Sequence, residues 1–344
     1  MINSPAHRTL FIVKKRVSMS YGEPFGLLYS ARFVAHMLRM HHVDASVSVA
    51  IDGNDVDRLV TDANPKNVVL EALWVTPDKL RELMSLERHK DRNWIVRIHS
   101  KPTFLAMEGI AMKWLGEMVD MTEEFPQLTL SANNRITSDE LSAVYGLRFK
   151  FLPNFYINHN IRAESPTRNS NVVKIGCFGA QRPLKNTLEQ AIAAIIYANR
   201  VDKKLKFYIN TDRVEQHGEP VLKNVRELFK SQDIHELVEV TWKSHSEFIE
   251  LVSTMDLGMQ VSLSESFNIV TADFVSVGVP VVVSDEISWM PCLFKAPTTD
   301  AMKIADKLDD LYITPRLITR LLARRGLKHY NDKSQRIWLH FIRS

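Results

Sequence analysis

The sequence predicts an α/β protein built from two doubly wound parallel-sheet domains in tandem, and three observations carry that expectation. Short β-rich runs alternate with amphipathic helical patterns along almost the whole chain, the order that produces a parallel sheet with helices on both faces. A length of 344 residues exceeds one ordinary core and suits two domains of about 150–180 residues. Two alternating series are separated by a polar stretch, "INHNIRAESPTRNSN", broken by Pro166, which reads as a linker.

In order, "TLFIVKKRV" reads as a strand and "LLYSARFVAHMLRMH" as a helix with apolar residues at steps of three and four. "ASVSVAI" is the next strand, then a helix "NDVDRLVTDA" opened by Asn54, the strand "NVVLEALWV", and the helix "PDKLRELMSLER" with Pro77 at its start. "NWIVRIHS" and "FLAMEGIAMKWLGEMV" form another strand–helix pair, and "LTLSA", "TSDELSAVYG" and "RFKFLPNFY" close the first series. The second runs through "VVKIGCFGA", "NTLEQAIAAIIYANR", "LKFYINT", "PVLKNVRELFKS", "LVEVTW", "HSEFIELVSTM", "LGMQVSL", "VTADFVSVG" and "VPVVVSD". The expected boundaries are 1–156 for the first domain, 157–171 for the linker, 172–318 for the second domain and 319–344 for a basic C-terminal helix packing back on the first. No short-period repeat, low-complexity tract or heptad series interrupts this plan.

Composition narrows the function classes. A hydrophobic content of 45% with 24% charged residues is that of a globular protein, and no apolar run reaches the 18–20 or so residues needed to span a bilayer. The N-terminal "MINSPAHRTLFIVKKRV" lacks a signal-peptide layout. The two cysteines, Cys177 and Cys292, have no metal-site spacing, so disulfides and structural zinc are not expected and a reducing, cytoplasmic setting is. The net charge of +4 is uneven: from Arg316 onward eight Lys or Arg face one acid, Asp332. Such a tail is either a solvated basic helix or the footprint of an anionic partner such as a nucleic acid.

Open α/β sheets bind ligands beyond the carboxyl ends of their strands, and two such domains lead one to expect a cleft between them. Candidate residues are therefore sought just after strands. His99 ends "NWIVRIHS" and is either a structural histidine or a site residue; Arg97 and Lys101 beside it suit an anionic ligand or an ion pair. Gly22 and Gly26, in "SMSYGEPFG", permit a close backbone approach or a plain turn. Arg182 and Lys185, in "KIGCFGAQRPLKN", lie where two cations could meet one diphosphate, or where a basic surface loop would lie; neither a Walker loop nor GxGxxG is present.

The most informative stretch is "SLSESFNIVTADFVSVGVPVVVSD". Glu265 follows a strand, Asn268 and Ile269 lie near the expected helix start, where backbone N–H groups favour a phosphate, and Asp273 is eight residues beyond Glu265. With Glu265 opening the helix and Asp273 two turns along it, eight residues span about 12 Å, with the side chains about 80° apart. That reach suits two acids on opposite ends of an extended ligand better than a carboxylate pair about 5–9.5 Å apart for direct hydrolysis.

This combination resembles the retaining glycosyltransferases of GT-B fold, in particular family 4, whose pattern is E-x-F-G-x-x-x-x-E-A…G-x-P-V-V. Here the chain reads E-S-F-N-I-V-T-A-D-F-V-S-V-G-V-P-V-V, matching at Glu265, Phe267, Gly278 and Pro280, with Asp273 for the second acid and Asn268 for a Gly. "LPNFY" resembles that family's "IPNGV" and "FGAQRPLKN" its "GRLxxxKG". The resemblance spans most of the second domain and is mainly topological in the first.

The resemblance implies two Rossmann-like domains facing across a cleft and transfer of a sugar from a nucleotide-sugar donor, a UDP-sugar, to an acceptor hydroxyl. It places Glu265 on the donor sugar and His99 beside the reacting sugar. Lys185 would lie on the diphosphate, with Gly22, Gly26 and the Asn268–Ile269 helix start beside it. Asp273 would hold the ribose hydroxyls, and Asn210, Thr211, Thr241 and Trp242 would stand near the base. The family's Arg falls on Ala180 here, and Arg182 is the residue that would replace its charge. Members of the family usually need no bound metal, and no DxD-like motif is present; "DVD" at 55–57 reads as a helix start. Stretches such as "ARFVAHMLR" and "IDGNDVDRLV" look like compact bacteriophage-encoded glycosyltransferases, some of which glycosylate hydroxymethylated pyrimidines in double-stranded DNA. That implies a host-cytoplasm location. A cell-surface glycan or lipid-linked acceptor, and a non-catalytic sugar-nucleotide or nucleic-acid binding protein on the same scaffold, remain the alternatives.

Overall fold

The computed structural model describes residues 8–15, 25–159, 163 and 170–344. Gly22 and most of the expected linker lie outside the described residues. The chain divides into one unit of Met1–Ile157 with Tyr330–Ser344, and a second of Asn158–His329.

The first unit is organised by six parallel strands in the order β2-β1-β3-β4-β5-β6. They are β1 (Thr9–Lys14), β2 (Ala45–Ala50), β3 (Asn67–Glu71), β4 (Asn93–Ile98), β5 (Leu128–Ala132) and β6 (Lys150–Phe151). The central strands are apolar on both faces because helices cover both. Alternate residues therefore serve different cores: Leu10, Ile12, Val68, Leu70, Trp94 and Val96 lie in one cluster, and Phe11, Val13, Val69 and Ile95 in the other. Trp338 and Ile342, from the long helix Arg316–Arg343, complete the second cluster. The Trp338 indole N–H donates to the Pro153 carbonyl at 2.7 Å, and the Asn331 side chain bonds both the N–H and the carbonyl of Tyr156. The expected strand "NVVLEALWV" ends early, at Glu71, because Ala72 turns to a φ of 72° and the Trp74 indole donates to the Glu71 carbonyl.

The second unit holds five parallel strands in the order β11-β10-β7-β8-β9, with β7 (Val172–Cys177), β8 (Lys204–Asn210), β9 (Glu236–Val240), β10 (Leu257–Gln260) and β11 (Val281–Val283). The chain leaves β7 to build β8 and β9 on one side, then returns to place β10 on the other. The order therefore reverses between β7 and β10, the kind of switch point at which open α/β sheets take ligands.

Beyond β10 the sequence expectation needs correction. The helix spans Ile269–Val277, so Glu265 lies in the loop before it and does not open it. The turn is made by Asn268 at φ 62°, a left-handed conformation that Asn tolerates better than most residues. This accounts for Asn where the resembled pattern has Gly. The Asn268 side chain also accepts from the Thr271 N–H at 2.8 Å and donates to Gln260 Oε1 at 2.8 Å. At the other end Gly278 adopts φ 86°, and a Cβ there would come within 2.7 Å of Arg320 Cδ, so the motif's glycine closes the helix in left-handed geometry. Asn268→Gly should cost less stability than Asn268→Val, by about 1–2 kcal/mol, since only Val adds left-handed strain. Urea unfolding of the two variants checks this.

Much of the C-terminal positive charge has structural work. Arg316 donates to the carbonyls of Met255 and Asp256, Arg324 to those of Val275 and Ser276, and Arg343 to that of His41. Among the described residues no helix is long and apolar enough to cross a membrane.

Candidate functional site

The carboxyl edge of the second sheet gathers most of the residues singled out by sequence. After β7 the chain turns through Gly179, at φ 127°, into a short 3-10 helix at Pro183–Lys185. This places the Lys185 ammonium against the Glu265 carboxylate, an ion pair whose partners are only 14% and 8% exposed. Burial alone would push the Glu265 carboxyl up; the charges of Lys185 and Arg182 outweigh it and hold the group below its ordinary value. Burial lowers Lys185 against the opposing pull of Glu265. Two groups distant in sequence are thus joined at the switch point, and the acid is kept ionised there.

Three buried glutamines, which no sequence spacing pointed to, fix the loops around this pair. Gln190 accepts from the Val261 N–H and donates to the Lys185 carbonyl. Gln260 donates to the Phe178 carbonyl, and Gln181 to that of Asn210. With Cys177, Gly179 and Lys185 they line a small recess at the strand ends. Isolated glutamines in apolar runs look like any polar interruption, so only the fold reveals them.

The other expected site residues separate into groups. Arg182 does not stand beside Lys185 as a second open cation; its guanidinium donates to Glu215 at 3.3 Å, and the other oxygen of Glu215 accepts from Arg213 at 2.6 Å. Ala180, where the resembled pattern has Arg, is buried. Asn210 ends β8 and accepts from the Gly179 N–H at 3.0 Å, with Thr211 next in the chain. Thr241 and Trp242 follow β9; the Trp242 N–H donates to Asp212 at 2.7 Å, and Arg213 lies 5.7 Å from the Trp242 ring centre. Ile269 is the first residue of its helix, where the Thr271 N–H is already taken by Asn268. A Cβ at Gly26 would meet nothing within 4 Å, so packing among the described residues does not demand glycine there.

Asp273 is 2% exposed, and its carboxylate lies 2.9 Å from His245 Nε2. The His159 ring meets that of His245 edge-on at 4.9 Å. Burial and the neighbouring His245 lower the His159 pKa against the pull of Asp273. Neither histidine was singled out by sequence, since the three residues come from separate segments.

In the first unit His99 follows β4 and meets the end of β3. Its Nε2 bonds Glu71, and Asn133 Nδ2 approaches its Nδ1 at 3.2 Å. The network therefore assigns the proton to Nε2 and makes Nδ1 the acceptor. Arg97, paired with Glu71 in register, donates to both Glu71 oxygens at 2.9 Å, to the Leu152 carbonyl at 2.8 Å and to the Asn154 side chain. Glu71 and Arg97 are both 0% exposed. Burial lowers His99 despite the Glu71 charge, so its imidazole is neutral beside an ionised acid. Arg97, read as a ligand or ion-pair residue, is the ion-pair residue.

The cysteines differ in kind. Burial pushes the Cys177 thiol up to about 12, whereas Cys292 is exposed. One thiol should react quickly with a thiol reagent in the native protein and two after denaturation, because the thiolate is the reactive form.

No protein-family model and no curated protein matches the sequence. Solved structures do match. HepE from Anabaena, solved with UDP and glucose, superposes with a TM-score of 0.65 at 15% identity over 98% of this chain and 100% of that one. The UDP-forming α,α-trehalose-phosphate synthase of Burkholderia vietnamiensis gives 0.64 at 10% identity over 98% and 97%. S. aureus TarM, solved as a point mutant with fondaparinux, α-GlcNAc-glycerol and UDP, gives 0.59 at 11% identity over 81% and 55%. With the two strand orders, these likenesses define the fold as GT-B, a pair of Rossmann-like parallel-sheet domains.

Proposed function

We propose that this chain is a glycosyltransferase that moves a sugar from a nucleotide-sugar donor to an acceptor hydroxyl, with a UDP-sugar as co-substrate. The observation that carries the proposal is the buried Lys185–Glu265 pair at the switch point of the second sheet. An ionised acid paired to a lysine, at the crevice where such sheets take nucleotides, offers one charge to each half of a sugar diphosphate. In support, HepE and TarM of the same fold were solved with UDP.

In this reading Lys185 binds the diphosphate and releases Glu265 to the hydroxyls of the donor sugar. The Ile269 N–H at the helix start adds a donor, and Arg182, held by Glu215, contributes positive potential. Asp273, beside His245, takes the ribose hydroxyls, with Asn210, Thr211, Thr241 and Trp242 near the base. Within the first unit His99 is our candidate catalytic residue, a neutral imidazole oriented by Glu71 and Asn133. Positive charge stabilises the departing nucleoside diphosphate as its bond to the sugar breaks. The acceptor attacks from the leaving-group face, its proton passes to the departing phosphate, and configuration at the anomeric carbon is retained. Calorimetric titration with UDP and UDP-glucose tests the donor half: Lys185→Met should abolish binding, and His99→Ala should lower turnover while leaving UDP affinity unchanged.

For the acceptor we propose the hydroxymethyl group of a modified pyrimidine in duplex DNA. The observation favouring it is the set of exposed cations on the C-terminal helix, Arg325 and Lys328 in the second unit and Lys333 and Arg336 in the first. Labelled sugar should enter hydroxymethylcytosine or hydroxymethyluracil DNA. The binding constant should fall with salt with a log–log slope of about −3 to −4 if these four cations meet phosphates. A flat response, with incorporation into a glycan or lipid-linked acceptor, would replace DNA by that acceptor.

A further inference from the structure

The geometry points to a divalent transition-metal site of the zinc class, made by His159, His245 and Asp273 within the second unit. Their donor atoms all lie within 4.8 Å of one another, and His245 Nε2 is 2.9 Å from Asp273 Oδ1. Tetrahedral zinc with bonds of about 2.0–2.1 Å sets its ligand atoms about 3.3 Å apart. Closing the triangle on one ion therefore takes a contraction of at most about 1.5 Å between ligand atoms.

Each ligand is anchored through its backbone. The His159 N–H donates to Ser276 Oγ at 2.7 Å, and Ser276 is one turn beyond Asp273 on the same helix. A few residues on, the Ala163 N–H donates to the Val277 carbonyl at 2.9 Å, a second tie between that segment and that helix. His245 is the first residue of the helix His245–Ser253, whose start is fixed by a capping box between Ser244 and Glu247. Asp273 lies mid-helix in Ile269–Val277 and is almost fully buried.

The donor set selects the ion. Two imidazoles and one carboxylate suit Zn²⁺, Co²⁺ or Ni²⁺, whereas Mg²⁺ and Ca²⁺ prefer oxygen cages. Three protein ligands leave a fourth position for water or for an oxygen of a bound nucleoside. The site shares Asp273 with the proposed donor site but not its logic, and metal uptake is read without nucleotide, so either reading can fail while the other stands.

The test is titration of chelator-treated full-length protein with Co²⁺, followed by Zn²⁺. We expect one equivalent of Co²⁺ with the intense visible absorption of a four-coordinate ion, displaced by Zn²⁺. His159→Ala and His245→Ala should each weaken Co²⁺ binding by about tenfold or more, and Asp273→Asn should change the absorption. Urea unfolding of the metal-free His159→Ala protein, with an unchanged midpoint, separates lost ligation from lost folding. Less than one equivalent of uptake at micromolar Co²⁺ and Zn²⁺, or full affinity in both histidine variants, overturns the assignment.

Discussion

Lys185→Ala is expected to lower turnover by about 10²–10³-fold, the cost of removing one preorganised charge from a transition state. It should also destabilise the fold by about 3–5 kcal/mol, because it leaves the buried Glu265 carboxylate without its cation. The two losses have different remedies. In Lys185→Met/Glu265→Met no buried charge remains, and replacing a buried ion pair by apolar groups is often neutral or stabilising. Stability should therefore return in the double variant while turnover stays lost. Recovery of both would make the pair a structural ion pair with no part in the reaction. Urea unfolding beside a UDP-release assay reads the two quantities on the same preparations.

The second large effect lies in the first unit. Arg97→Met should destabilise by about 3–5 kcal/mol, since it leaves the Glu71 charge at 0% exposure without its cation, with only the neutral His99 bond, and removes the donors to the Leu152 carbonyl and Asn154. Arg97→Lys should not rescue it, because one ammonium cannot reproduce a guanidinium fork spread over three acceptors. Adding Glu71→Gln to Arg97→Met should recover part of the loss by removing the buried charge. The same chemistry sets the acid limit. Glu71 and Glu265 both titrate below their ordinary value of 4.5 in the fold. Their contribution is complete above that pH and is lost as the pH falls through it towards their folded values. Unfolding midpoints should thus drop on acidification, and Glu71→Gln should flatten that dependence.

The fold was legible because its signal is spread over many residues. Alternation of β-rich runs with helical patterns places each strand, and the double-sided burial of Leu10–Val13 or Val68–Leu70 follows from their apolar character. Boundaries were less legible where one backbone conformation decides them: Ala72 ends β3 early, and Asn268 delays the helix that Glu265 was expected to open. Of the site, the ionisable residues after strands were readable and their pairings were not. Nothing local to "GCFGAQRPLKN" shows that Arg182 turns to Glu215 while Lys185 turns to Glu265, since each partner is supplied by a loop 33 or 80 residues away. Likewise His159, His245 and Asp273 lack any metal-site spacing because the fold, not the local chain, brings them together. Asn268 is the reverse case: a departure from the resembled motif that the left-handed turn explains.

If the Lys185–Glu265 site processes a nucleotide sugar, the protein releases UDP from UDP-glucose or another UDP-sugar. Slow UDP release by the wild-type protein from at least one donor, reduced by about 10²–10³-fold in Glu265→Gln, is the predicted result. No release from any donor by the wild type, or an undiminished rate in Glu265→Gln, would contradict it.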